Sequence, residues 1–233
     1  MSTRKTGIGL TVFVNAVLVI AIAALYVITS QGEEKTVAAV GAPIYKGNAE
    51  DAVSLQWIMC YNAAATDSIL DTLKERNIRC TFIVSGEWAK ENPTALFRMV
   101  NDGHELGTMG TNPRTDGNLS FLTRDILTAS GIIEGIVGIQ PSLYYSGEKN
   151  AARSSMAAKK LGLSHIQATL DLLCSNGTVD DIIRRADSVT GGSIVLMQPT
   201  RQAAEALDML IDRLSADGFR ITTTGEIIGP SAR

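Results

Sequence analysis

Histidine is scarce in this chain: His104 and His165 are the only two in 233 residues. They fall on separate predicted elements and cannot make a zinc site alone, because such a site needs three or four N, S or O ligands. Cysteine is little richer. Cys60, Cys80 and Cys174 share no metal-type spacing, and an odd count outside the cytoplasm allows at most one internal disulfide. Cys80 stands in the apolar run CTFIV and reads as a buried small hydrophobe. A basic excess is missing too. The formal net charge is −3, which argues against nucleic acid or an anionic surface as the main partner. There is no internal repeat and no low-complexity segment.

Charge itself is absent from one stretch. Between Lys5 and Glu33 no residue is charged, and residues 8–28 (IGLTVFVNAVLVIAIAALYVI) are almost wholly apolar. At ~1.5 Å per residue, such a helix spans the ~30 Å hydrocarbon core of a bilayer. Arg4 and Lys5 precede it and Glu33 and Glu34 follow it, which predicts a cytoplasmic N-terminus at residues 1–7. A cleaved signal peptide would carry a shorter apolar core and a small-x-small site after it. The run fits an uncleaved signal anchor better, with residues 29–41 as a juxtamembrane linker and residues 42–233 outside the cell. A soluble helix of this length would show a polar face.

The remainder alternates. The segment 37–48 (VAAVGAPIYKGN) suggests an edge strand and turn, and AVSLQWIM (52–59) a strand. Residues 66–77 read as a helix with Ile69, Leu70 and Leu73 on one face. CTFIV (80–84) is a strand, and a helix opens at Asn92-Pro93. LSFLTRDILTASGIIEGIV is a long helix with Ser120 as its expected N-cap. Strands follow at 142–145, 164–168, 193–197 and 219–224, with helices near 152–161, 178–188 and 201–216. Such alternation with brief connections predicts parallel strands joined by helical crossovers, as a barrel or an open sheet. Functional loops in these folds follow the C-terminal ends of the strands.

The run ILDTLKERNIRCTFIVSGEWAKENPTALFRMVNDGHELG (69–107) resembles the polysaccharide deacetylase, or NodB-homology, family, especially its membrane-anchored, sporulation-type members. AAKKLGL (157–163) and GGSIVLMQPTRQAAEALDMLIDRLSADGFRITTTGEII (191–228) continue the likeness. It implies a distorted (β/α) barrel of seven or eight strands acting on N-acetylated glycans such as peptidoglycan or chitin. It also implies a divalent metal, usually zinc, held by Asp-His-His, a second Asp as base and a late His as acid.

This chain departs from that pattern at each position. The family's Thr-Phe-Asp-Asp falls on Gln56-Trp57-Ile58-Met59, placing Ile58 where the base would be and Met59 at a metal ligand. The His-x-x-x-His loop falls on Met109 and, without a gap, Pro113. Arg-Pro-Pro-Tyr-Gly falls on Tyr145-Ser146-Gly147-Glu148-Lys149, and the late histidine on Gln198. Isoleucine, methionine and proline offer zinc no suitable donor, and neither Ile58 nor Gln198 can exchange a proton near neutral pH. The expectation is therefore a degenerate site that holds no metal and no other cofactor.

Other residues were weighed against plainer roles. His104 reads as a structural turn residue and His165 as a satisfied core residue. Cys60 lies at the barrel mouth without an evident base, and Asp67 belongs to the first turn of its helix. Asp171 lies one residue off the family's acidic motif, and Glu148 is an acid near a strand top. Trp57 and Tyr144 fit packing, whereas Tyr61 and Tyr145 face the groove and are the candidates for stacking on sugar rings. The expected role is non-catalytic: binding a cell-wall glycan or scaffolding an envelope protein. The alternatives are a working deacetylase with a rebuilt site and a purely structural envelope domain.

Overall fold

The computed structural model describes residues 42–61, 63–113 and 115–229, and residue 15 by itself. The apolar run 8–28 therefore lies outside the described residues, as do the flanking segments 1–7 and 29–41. Among the described residues no helix is long and apolar enough to cross a membrane.

Eight strands form one parallel sheet: β1 (Ala52–Met59), β2 (Thr81–Val84), β3 (Glu105–Thr108), β4 (Leu143–Tyr145), β5 (Ser164–Ile166), β6 (Leu170–Asp171), β7 (Ile194–Met197) and β8 (Arg220–Thr222). The main path runs β5-β4-β3-β2-β1-β7-β6, and β8 pairs with the first residues of β1, Ala52 to Ser54. β1 is central and buried along its whole length, which its apolar run permits because both faces of a parallel sheet are covered. The sheet curls. Side chains from β1, β2, β4, β5 and β7 meet on its concave side in one apolar cluster. The seven strands of the main path and this inner cluster make a half-barrel, consistent with the distorted barrel of seven or eight strands that the resemblance implies.

Residues 44–48 close the open side. The Ile44 N–H donates to the His165 carbonyl and its own carbonyl accepts from Gln167. Lys46 bridges Ser193, Gly47 N–H reaches the Gly192 carbonyl, and Asn48 N–H reaches the Ile227 carbonyl. The expected edge strand is thus reduced, within the described residues, to isolated bridges.

Eight helices cover the sheet among the described residues: α1 (Thr66–Glu75), α2 (Gly86–Glu91), α3 (Pro93–Asn101), α4 (Leu119–Val137), α5 (Ala151–Lys160), α6 (Val179–Ala186), α7 (Arg201–Ala216) and α8 (Thr224–Ile228). Their starts carry oxygen-bearing caps at Ser85, Asn118, Asn150, Thr178, Thr200 and Thr223, each accepting a backbone N–H of the first turn. The cap of α4 is Asn118, not Ser120. The asparagine oxygen takes the Phe121 N–H at 2.9 Å, which leaves Ser120 inside the first turn. Pro93 opens α3, as expected.

Two glycines in the interior of α4, Gly131 and Gly135, are exposed, and a Cβ on either would meet nothing within 4 Å. Glycine there costs about 1 kcal/mol against alanine through backbone entropy. Gly131→Ala and Gly135→Ala are each expected to raise stability by roughly that amount in a urea melt. A flat or falling result would show that helix propensity does not limit α4.

Candidate functional site

Successive strand residues point to opposite faces, and β1 divides its side chains accordingly. Val53, Leu55, Trp57 and Met59 enter the main core between sheet and helices. Ile58 joins the inner cluster with Ile83, Met109, Leu143, Ile166 and Leu196. Cys60, Tyr145 and Ala168 pack against that cluster half-buried, at the C-terminal ends of their strands or just beyond. The structure therefore brings Ile58, Met109 and Tyr145 together and places Met59 on the other face of the sheet. Gln198 follows β7, with its amide oxygen buried and without a hydrogen-bond partner. Tyr61 is 61% exposed on the loop after β1, and Pro113 is half-buried in the loop after β3.

The Gly-His-Glu-Leu-Gly frame is explained by packing. His104 Nδ1 accepts the Cys80 N–H at 3.1 Å, and its ring meets Phe82 edge-on at 5.0 Å. Burial holds its pKa down at about 4, so the imidazole is neutral, as an acceptor at Nδ1 must be. Glu105 Oε2 accepts Thr81 Oγ1–H at 2.7 Å and the Gly225 N–H at 2.9 Å, tying β3 to β2 and to the start of α8. Burial raises the Glu105 pKa, and these hydrogen bonds oppose the rise. A Cβ on Gly107 would fall 2.4 Å from Ile83 Cδ1. None of these roles involves a ligand.

The Nε2 of His104 is buried without a partner, whereas His165 is satisfied at both ring nitrogens. Its Nδ1 lies 2.6 Å from Ser155 Oγ and its Nε2 2.9 Å from Ser146 Oγ, and Gln167 Nε2 donates to the same Ser146 oxygen at 2.7 Å. Burial lowers its pKa to about 4. Trp57 and Tyr144 are fully buried, Cys80 is buried with its thiol pushed up to about 12, and Asp67 sits in the first turn of α1. No disulfide joins any two of the three cysteines.

Two features escaped sequence reading. Gln56, on the concave side beneath Ile58, is fully buried with both amide atoms unpartnered. Lys149 and Asp125 form a buried pair beside the loop after β3, the Lys149 Nζ 3.8 Å from Asp125 Oδ2 and 2.8 Å from the Met109 carbonyl oxygen. Burial lowers the Lys149 pKa while Asp125 raises it. A lysine stands at position 149 where the resemblance expects glycine, but nothing local marks its burial or its pairing with Asp125.

At the centre of the mouth, then, stand Ile58, Met109 and Leu196. Tyr145 is a neutral phenol there, its pKa pushed up to about 12 by burial first and by neighbouring Asp171 and Glu148 next. Among the described residues no group of three His, Cys, Asp or Glu side chains could hold a metal ion. The donor set at the mouth does not fit zinc, which wants imidazole, carboxylate or thiolate. No hydrolytic step is derived through such an ion.

Comparison with known proteins places this arrangement. The family model described as polysaccharide deacetylase matches residues 46–166. The YlxY protein of Bacillus subtilis (strain 168) is 24% identical over 193 residues, covering 80% of this chain and 60% of its own length. A peptidoglycan-N-acetylglucosamine deacetylase, PgdA of Listeria monocytogenes serotype 1/2a (strain 10403S), is 27% identical over 179 residues, covering 72% of this chain and 37% of its own. The chain thus spans well under two thirds of these relatives. Among solved structures, wild-type BA3943 of Bacillus anthracis, described as a CE4 family pseudoenzyme, superposes with a TM-score of 0.78 at 22% identity, over 81% of this chain and 69% of that one. A mutant of BA3943 is described as having restored enzymatic activity.

Proposed function

The chain belongs to the polysaccharide deacetylase family, and from that premise we propose that it is a non-catalytic member that binds a cell-wall glycan at the mouth of its half-barrel. Residues 8–28 anchor it in the membrane in this reading, with residues 42–233 outside the cell. The observation that carries it is that Ile58 and Met109 share one buried apolar cluster. In a deacetylase of this family those two positions would supply base and metal ligand, and two apolar side chains packed together supply neither.

What remains suits binding without hydrolysis. An apolar floor of Ile58, Met109 and Leu196 can take an acetyl methyl group. The unpartnered side-chain amide oxygen of Gln198 can accept the N–H of the same acetamido group, removing the penalty of a buried orphan acceptor. Tyr145 and Tyr61 offer ring faces to a sugar. A cleft of about 440 Å³ between the loop after β1 and the start of α7, near Ser68 and Arg201, extends the surface beside the mouth.

The purified chain should be titrated calorimetrically with N-acetylated chito-oligosaccharides and with peptidoglycan fragments, and released acetate measured in parallel. Binding without acetate is expected, weakened about three- to tenfold by Tyr145→Ala, as loss of one aromatic contact of ~0.5–1.5 kcal/mol implies. Acetate release abolished by a chelator would replace this reading with a deacetylase whose site is rebuilt. No binding to either glycan would leave a structural envelope domain.

A further inference from the structure

The loop from Met109 to Asn112 is the one that the family reading assigns to metal binding, yet it is held firmly. Gly86 and Glu87 donate their N–H groups to the carbonyls of Gly110 and Thr111. The Thr111 N–H donates to Asp125 Oδ1 at 3.0 Å, and Thr111 Oγ1–H to the Asp125 carbonyl at 3.3 Å. Lys149 reaches in from the loop after β4 and donates to the Met109 carbonyl at 2.8 Å. Its side chain is 2% exposed and that of Asp125 8%.

The ammonium has three kinds of neighbour: a carbonyl oxygen, a carboxylate at ion-pair distance, and the face of Tyr144 at 5.9 Å from the ring centroid. Carbonyl and carboxylate oxygens are the donors that hold hard cations, and an aromatic face attracts a cation through its quadrupole. The backbone closes tightly on the pair. Gly110 has φ +88°, and a Cβ there would lie 2.0 Å from Asp125 Oδ2 and 3.2 Å from Lys149 Nζ. A buried ammonium is kept only where such partners offset its lost hydration.

We infer that Lys149 is a positioning residue acting as a tethered cation: paired with Asp125 on the helix side of the sheet, beside Tyr144, it fixes the Met109 loop from behind, and with it the floor of the mouth. The inference rests on the family reading of that loop only for calling it part of the mouth, not for the brace itself. The cage is permanently filled by the chain's own side chain, so the loop is ordered without any ion being supplied.

The test uses the full chain. Lys149→Ala is expected to speed amide hydrogen exchange at Gly110, Thr111 and Asn112 at least tenfold, and propylammonium to slow it again where propanol, its near-isosteric neutral counterpart, does not. A packing role alone would respond to both additives alike. Should Lys149→Ala fail to fold, Lys149→Met/Asp125→Leu removes both charges together and leaves none unpaired. It is expected to fold with the same fast exchange confined to the loop. Wild-type protection of these amides in either variant, or equal effects of amine and alcohol, would overturn the proposal. Exchange is read without any glycan. A chain that binds no chito-oligosaccharide yet shows the amine-specific rescue would refute the reading of the mouth and support the brace.

Discussion

Acidification from pH 7 to about 4 is expected to remove roughly 6 kcal/mol of folding free energy, much of what a domain of this size possesses. The two histidines carry this. Both are almost fully buried, at 7% and 6% exposure, and both have folded pKa values of about 4 against an ordinary 6.5. Their sign is that of bases held neutral. Below about 6.5 the unfolded chain takes up two protons that the folded chain refuses until about 4, so stability is full above that window and falls as pH drops through it. Glu105 opposes the trend, because its raised pKa lets the folded chain bind a proton more readily than the unfolded one. Glu226, lowered by its Thr222 hydrogen bond, adds a further loss only at lower pH.

The two imidazoles should not contribute equally. His165 faces two hydroxyls, and either serine can turn to accept a hydrogen bond from a protonated ring. Nδ1 of His104 faces the Cys80 N–H, a donor that cannot turn, so protonation there sets two donors against each other. Urea melts at pH 7 and pH 4 measure the total, and ring proton shifts during titration assign it. Stability unchanged between pH 6.5 and 4.5 would contradict the neutral, buried placement of both rings.

Met59→Asp is expected to destabilise the fold by about 3–5 kcal/mol in the absence of metal, because it leaves an unpaired carboxylate in the main core. Ile58→Asp, made at the mouth beside half-buried Cys60 and Tyr145, should cost clearly less, since water can reach a carboxylate there. The comparison bears on more than stability. Reinstating ligands at Met59, Met109 and Pro113 creates a zinc site only if the end of β1 can turn its last side chain toward the mouth. Thermal melts of both single variants, with and without Zn²⁺, decide it. A Met59→Asp chain no less stable than its Ile58→Asp counterpart would mean that the end of β1 turns freely, and the ligand set implied by the resemblance would then be within reach.

Much of the fold was legible because its signals are local. The eight-residue apolar run of β1, the proline opening α3 and the period of α4 each state their element within a few neighbours. Two misses concern helices. Sequence reading misses the short helix α2 altogether: Ser85 caps it, and a Cβ on Gly86 would lie 3.1 Å from Ile132 Cδ1 and 3.3 Å from Ala129 Cβ of α4. Ser120 is the cap read from sequence, and the backbone path places the cap two residues earlier, at Asn118. The site was legible as a set of replaced residues but not as an arrangement. Lys149 lies in a polar stretch that reads as solvent-facing, while its partners are at positions 125 and 109. No local pattern announces a lysine that folding will bury.

The strap at residues 44–48 has a consequence for how the molecule comes into being. Its partners are Ile166, Gly192, Ser193 and Ile227, all of which leave the ribosome long after it does. Contacts this remote in sequence form late, since the loop entropy must be met before they reward it. A chain delivered N-terminus first therefore lacks the Ile44 contact on the inner face around Ile58 until these later partners have emerged. Docking of the strap is expected to wait for α8, the last element it needs.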